Sequence, residues 1–161
     1  MTQLKRLGPI VVISALITLL AGAALATPPT TDFVGKLLAW GSFDQLDAQH
    51  DGIEVESENG KANVAFLKAT IGPGGSSGWH HHPGVGLVSV KSGAVTAYDE
   101  ECDKTVYKAG EGFVESHDEP MLVRNNGKRD AVLFVTFLVP SSTTDEGLRI
   151  DDPRPKGCNV K

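Results

Sequence analysis

Beyond the N-terminal segment, few stretches of this chain place apolar residues at helical spacing. Short apolar runs rich in strand formers recur instead, at Leu37 to Trp40, Gly52 to Val55, Ala65 to Ile71, Gly86 to Val90 and Ala94 to Tyr98. Thr105 to Tyr107, Gly112 to Val114, Met121 to Val123 and Ala131 to Val139 complete the series. Turn formers punctuate the gaps, as in Glu58-Asn59-Gly60, Ser92-Gly93, Ala109-Gly110 and Asn126-Gly127. Many short strands at such spacing predict an all-β sandwich or barrel. Lys91-Ser92-Gly93 and Asn125 to Lys128 are expected to form hairpin turns into Ala94 and Ala131. No internal repeat is visible.

The first segment has a different pattern. Lys5 and Arg6 precede the apolar run Leu7 to Leu20, and Ala24-Leu25-Ala26 is a small-x-small site just before Thr27-Pro28-Pro29. That order predicts a signal peptide over residues 1–26, removed on export to the periplasm, cell envelope or exterior. An uncleaved anchor is the rival, but Pro9 and Gly22 interrupt the apolar stretch. Residues 27–34 read as a flexible lead-in, residues 35–139 as one barrel domain, and residues 140–161 as an extended polar tail.

Charge narrows the partners. The 161-residue chain carries a formal charge of −5, which becomes −7 once Lys5 and Arg6 leave with no acid. An acidic balance with no basic patch argues against nucleic acid and against an anionic membrane surface. The chain's two cysteines, Cys102 and Cys158, are expected to form a disulfide in an exported protein, pinning the tail to the domain.

The candidate chemistry lies in Gly78-Trp79-His80-His81-His82-Pro83-Gly84. In an extended segment His80 and His82 share one face and His81 takes the other. Two imidazoles side by side can grip one metal ion. His81 is expected at the pocket rim and His50 in an exposed loop. The glycine-rich stretch Gly72 to Gly78 lacks the lysine of a phosphate loop and reads as a flexible loop over the barrel mouth. No G-x-S-x-G elbow occurs, so a common serine hydrolase is not supported.

These residues resemble the cupin family. Its first motif, G-x5-H-x-H-x3-E-x6-G, is matched by Gly74, His80, His82 and Gly93, with Gly86 where the glutamate belongs. Its second, G-x5-P-x-G-x2-H-x3-N, keeps Gly110 and Asn125, while Ser116, Asp118 and Met121 replace the proline, glycine and histidine. The tail from Arg149 to Cys158 is similar to that of small exported bacterial cupins. The resemblance implies a double-stranded β-helix, the cupin jelly-roll barrel, and a divalent metal held by three histidines and one glutamate. Two of those four positions lack their ligand here, so a third group must come from elsewhere. His117 and Glu119 share the parity of Met121 and are the candidates. Glu119 gives a two-histidine, one-carboxylate site, His117 a three-histidine site, and Met121 suits only a soft ion such as copper(I).

Two functions follow. One is a metal-dependent cupin with iron, manganese, zinc or copper on His80 and His82, acting on a small molecule as an oxidoreductase or isomerase of the cupin type. The other is a metal-free barrel that binds a small ligand without catalysis. By analogy with the family, two copies of the chain pair as a homodimer.

Overall fold

The computed structural model describes residues 25–115 and 118–160. The expected signal peptide therefore lies outside the described residues up to position 24, as do Ser116 and His117. Twelve strands follow in order: β1 (Phe33–Phe43), β2 (Asp47–His50), β3 (Ile53–Glu56), β4 (Ala62–Ile71), β5 (His80–His81) and β6 (Val85–Ser92). Then come β7 (Ala94–Tyr98), β8 (Lys104–Lys108), β9 (Gly112–Glu115), β10 (Leu122–Arg124), β11 (Ala131–Pro140) and β12 (Ile150–Asp151). A 3-10 turn over Glu146–Leu148 is the one helical element among the described residues. It is not a helix long and apolar enough to cross a membrane.

Two layers enclose the core. One is an antiparallel sheet in the order β1-β4-β11-β6-β9, and the other contains β10-β7-β8. Antiparallel bridges Ser76↔Arg124 and His80↔Met121 join the glycine-rich loop and β5 to β10, and β5 carries β12 on its far edge. Strand alternation fills the space between the layers. On β11 the residues Ala131, Leu133, Val135, Phe137 and Val139 are buried while their neighbours face outward or are half-buried. Val88 and Val90 of β6 and Phe113 of β9 point into the same core. Each such aliphatic or aromatic side chain contributes roughly 1.5–3 kcal/mol by leaving water.

Two expected hairpins are sheet-switching corners instead. Neither β6 with β7 nor β10 with β11 forms a pair; in each case the chain passes from one sheet to the other. The turn residues are as expected, but their conformation turns the chain across the barrel. Gly93 has φ 78°, and a Cβ there would lie 2.9 Å from the Ala131 Cα. At the second corner Asn125 is fully buried and closes the turn itself. Its amide donates to the Ile71 and Arg129 carbonyls, and its Oδ1 accepts from the Gly127 N–H. A hairpin of the favoured Asp-Gly type does occur at Asp51-Gly52 between β2 and β3, with φ 47° and 83°.

The chain ends are tied down. The Thr27 N–H donates to the Asp152 carbonyl, and the Ser76 N–H donates to the Thr30 hydroxyl. The glycine-rich loop is packed rather than loose: Gly75, Ser76, Ser77 and Gly78 are buried, and the Ser77 N–H donates to the Val123 carbonyl. The tail forms the 3-10 turn and β12 and then joins Cys158 to Cys102, whose Cα atoms are 5.6 Å apart. Trp79, fully buried, packs with Leu122 and Cys158 in a second small core beneath it.

The bridge closes 56 residues of chain, and the loop-entropy relation gives it about 4 kcal/mol of stabilisation. Replacing both cysteines by serine should lower the unfolding free energy by roughly that amount in denaturant titration. A loss below about 1 kcal/mol would mean that packing alone holds the tail.

Candidate metal centre

His80 enters the barrel at the start of β5 because its backbone is clamped on both sides. Its N–H and carbonyl exchange hydrogen bonds with Met121 of the neighbouring chain segment, at 3.0 and 2.9 Å. His82 follows two residues later on the same face, and the two rings lie edge to face with centroids 4.8 Å apart. Both rings are buried, with relative exposures of 5% and 6%. His81 turns the other way, toward the tail, where its Nδ1 lies 2.7 Å from the Asp152 carboxylate. The expected division of faces holds, but His81 is half-buried by β12 rather than free at a rim. His50 is exposed at the end of β2.

Each inward imidazole has one nitrogen engaged by backbone. His80 Nδ1 lies 3.0 Å from the Gly78 carbonyl, and His82 Nδ1 contacts the Leu148 carbonyl. A carbonyl only accepts, so each Nδ1 carries a proton and each Nε2 is left for a metal ion or, on His82, for a proton shared with Glu115. Such outer contacts fix tautomer and ring orientation in metal sites.

The third member is Glu115, at the end of β9. It is buried with its Oε2 3.2 Å from His82 Nε2. Ligand atoms of His80, His82 and Glu115 all lie within 4.8 Å of one another. The reason is register: β9 runs antiparallel to β6 with Glu115 directly opposite Gly86. Gly86 is the position where the family motif places its glutamate. A Cβ at Gly86 would lie 3.2 Å from Glu115 Oε2 and 3.0 Å from the Phe137 ring. The carboxylate thus reaches the histidines from the neighbouring strand, through space that a side chain at position 86 would take.

Of the candidates proposed from parity, Glu119 falls elsewhere. Glu119 is exposed and does not join the two histidines, because the chain leaves the barrel wall after β9 and Asp118 turns with φ 67°. His117 lies outside the described residues. Met121 is half-buried and packs against the main core. Glu115 also shares the parity of Met121, and it is the one acid of the apolar run Gly112-Phe113-Val114-Glu115. Those two signals could have found it.

The donor set suits a divalent cation. Two imidazoles with free Nε2 and one carboxylate form the two-histidine, one-carboxylate type, which leaves coordination positions open. Burial by itself would raise the Glu115 carboxyl, but the hydrogen bond from His82 and the charges of His82, His80 and Arg149 outweigh it. The group is held below the usual glutamate range. His80 is pushed down to about 4, first by burial; Glu115 opposes that shift, while Arg149 and His82 reinforce it. Both shifts favour the neutral His80 and the ionised Glu115, the forms that bind metal.

A cavity of about 170 Å3 adjoins the triad. Its walls are mostly apolar, from Leu67, Val88, Val135, Phe137 and Leu148, and Arg149 lines it from the tail.

Fold and site together define a double-stranded β-helix protein with a buried two-histidine, one-glutamate group. Residues 67–137 match the family model for the cupin domain, and the chain carries a cupin domain over those residues. A search of curated proteins finds no match. Among solved structures, the chain is similar to an uncharacterized conserved protein with a double-stranded β-helix domain from Klebsiella pneumoniae. That likeness has a TM-score of 0.53 and 14% identity, covering 77% of this chain and 87% of that one. A cupin 2 conserved barrel domain protein from Leptotrichia buccalis matches with a TM-score of 0.48 and 18% identity, over 67% of this chain and 41% of the other. An oxalate oxidase matches with a TM-score of 0.43 and 23% identity, over 48% and 42%. The chain spans less than half the length of the oxalate oxidases it matches. These likenesses speak to fold alone.

The His80 shift sets a pH dependence. In metal-free protein the unfolded state takes up a proton at this side chain as pH falls through about 6.5, whereas the folded state resists until about 4. Stability should therefore fall across that window, by roughly 3 kcal/mol from this residue. Denaturant titrations of chelator-treated protein between those pH values should show the decline, and His80→Asn should flatten it. An equally steep decline in the variant would locate the titration elsewhere.

Proposed function

We propose that the mature chain is an exported cupin that holds one divalent metal ion on His80, His82 and Glu115 and engages a small molecule beside it. The observation that carries this reading is the convergence of three buried ligand atoms within 4.8 Å, with both Nδ1 positions committed to backbone carbonyls. Iron, manganese, zinc and copper all suit such donors, and the set is the type used by non-haem iron oxygenases. When bound, the ion supplies Lewis acidity at its open positions. The chain's own contribution is to orient the two imidazoles, present Glu115 as an anion, and exclude bulk water with the apolar wall. Chemistry of the oxidoreductase or isomerase kind is the enzymatic form of this proposal.

Export is supported by the N-terminal charge, apolar run and small-residue site, and the Cys102–Cys158 bridge is consistent with an oxidising compartment. A second reading, a metal-free ligand-binding barrel, is favoured by the His82–Glu115 contact at 3.2 Å, where a proton on Nε2 in place of an ion lets His82 donate to the Glu115 carboxylate.

Elemental analysis of the mature protein separates the two. Near-equimolar metal is expected, lost in His80→Ala, His82→Ala and Glu115→Ala, each with at least about 100-fold weaker binding. Glu119→Ala should keep it. Protein that stays metal-free after exposure to iron(II), manganese(II), zinc(II) and copper would favour the second reading.

The transferred carboxylate has its own test. In a Glu115→Ala background, Gly86→Glu returns the acid to the motif position and removes the Oε2 contact that crowds it, leaving only the Phe137 ring to shift. Metal retention should recover in part, as followed by equilibrium dialysis. No recovery in a folded double variant would show that position 86 cannot reach the ion.

A further inference from the structure

The cavity beside the triad carries one cation of its own. Arg149 stands between the 3-10 turn and β12, and its side chain is only 24% exposed. Its Nη2 donates to the Ser77 carbonyl at 2.6 Å, and its Nε meets the Asp151 carboxylate at 2.6 Å on the outer side. Arg149 lines the same cavity as His80, His82 and Glu115, and its charge acts on His80 and Glu115. Leu148, the preceding residue, buries its side chain in the cavity wall and gives its carbonyl to His82. One turn of the tail thus supplies the apolar roof, the bond that orients a ligand and a positive charge.

A half-buried guanidinium beside a mostly apolar cavity is selective. Its planar fork matches a carboxylate, whereas a neutral polar group gains less from it. The cavity, at about 170 Å3, is small beside the roughly 300–1,000 Å3 of sites for drug-sized ligands. That admits a few heavy atoms. Apolar walls at Leu67, Val135 and Phe137 suit a short hydrocarbon chain and offer nothing to a second charge.

We propose that this cavity takes a small aliphatic monocarboxylate, its carboxylate on the Arg149 guanidinium and its chain against Leu67, Val135 and Phe137. The proposal rests on the metal-site reading above, through charge. Around the cavity, with neutral imidazoles, the single guanidinium is set against the carboxylates of Glu115 and Asp151, with Asp152 farther out on His81. An incoming anion meets net negative charge. A divalent ion on the triad offsets that charge, so carboxylate binding depends on metal loading.

Isothermal titration of the mature protein tests this, loaded with zinc(II), or with manganese(II) if zinc is not taken up. Propionate is the probe and propionamide its neutral counterpart. Propionate should bind roughly 10- to 100-fold more tightly than propionamide, the range of one charge-assisted hydrogen-bonding pair. Chelator-treated protein should lose that preference. Arg149→Met should also lose it while still taking up one metal ion. Arg149→Lys, a milder change at the same place, should keep part of it, since the charge stays and the fork goes. Equal binding of the two probes by metal-loaded wild type overturns the proposal and leaves the metal site standing. So does an undiminished propionate preference in the Arg149 variants, which would assign the anion to the ion alone. Failure to load any metal overturns the metal-site reading, and this proposal with it.

Discussion

The site depends on two backbone carbonyls. Those of Gly78 and Leu148 accept from the Nδ1 atoms of His80 and His82, and this leaves both Nε2 atoms for the side of the site that holds Glu115. Without them either ring could flip or change tautomer, and buried imidazoles would compete for the same proton. The two carbonyls belong to segments far apart in sequence. Gly78 ends the packed glycine-rich loop, and Leu148 ends the 3-10 turn of the tail. Correct ligand chemistry therefore requires that loop and tail both be in place, and the fold is built to hold them there.

The tail is thus part of the site rather than an appendage. β12 pairs with β5 in the register Ile150↔His81 and Asp151↔His80, so the histidine strand is itself hydrogen-bonded to the tail. Asp152 adds a charged contact to His81, and its carbonyl accepts from Thr27 of the lead-in. The Cys102–Cys158 bridge closes the end of this arm, with Trp79 filling the small core between. A domain of this size gains much from one covalent closure of that kind. The short, buried β5 alone is too small an element to keep two imidazoles aligned.

Much of this was legible from residue pattern. The apolar runs located the barrel strands, and the alternation rule placed His80 and His82 on one face with His81 opposite. The cysteine pairing followed from the expectation of export and from the even count. What pattern missed was long-range pairing. Ser92-Gly93 and Asn126-Gly127 carry hairpin chemistry, but local turn residues say only that the chain bends, not which sheet it enters next. The third member of the group was missed for the same reason. Parity along one segment pointed to His117 and Glu119, and the acid that stands beside the two histidines, Glu115, is placed by its partner across the sheet, Gly86. Arg149 likewise gains its meaning only once the tail folds back over the barrel.

The glycine at position 86 is best understood together with Glu115. A glutamate at both positions would set two carboxylates around one pair of imidazoles, in a space where even a Cβ lies 3.2 Å from Oε2. Like charges that close in a buried site cannot both ionise freely, and one would be forced to hold a proton or leave. Position 86 must therefore be small if Glu115 is to enter, and Glu115 supplies the carboxylate that a small residue there removes. Moving the acid across one antiparallel pair keeps the donor set while changing the strand that carries it. Barrel geometry makes the exchange possible because directly opposed residues lie on the same face of a sheet, a few ångströms apart.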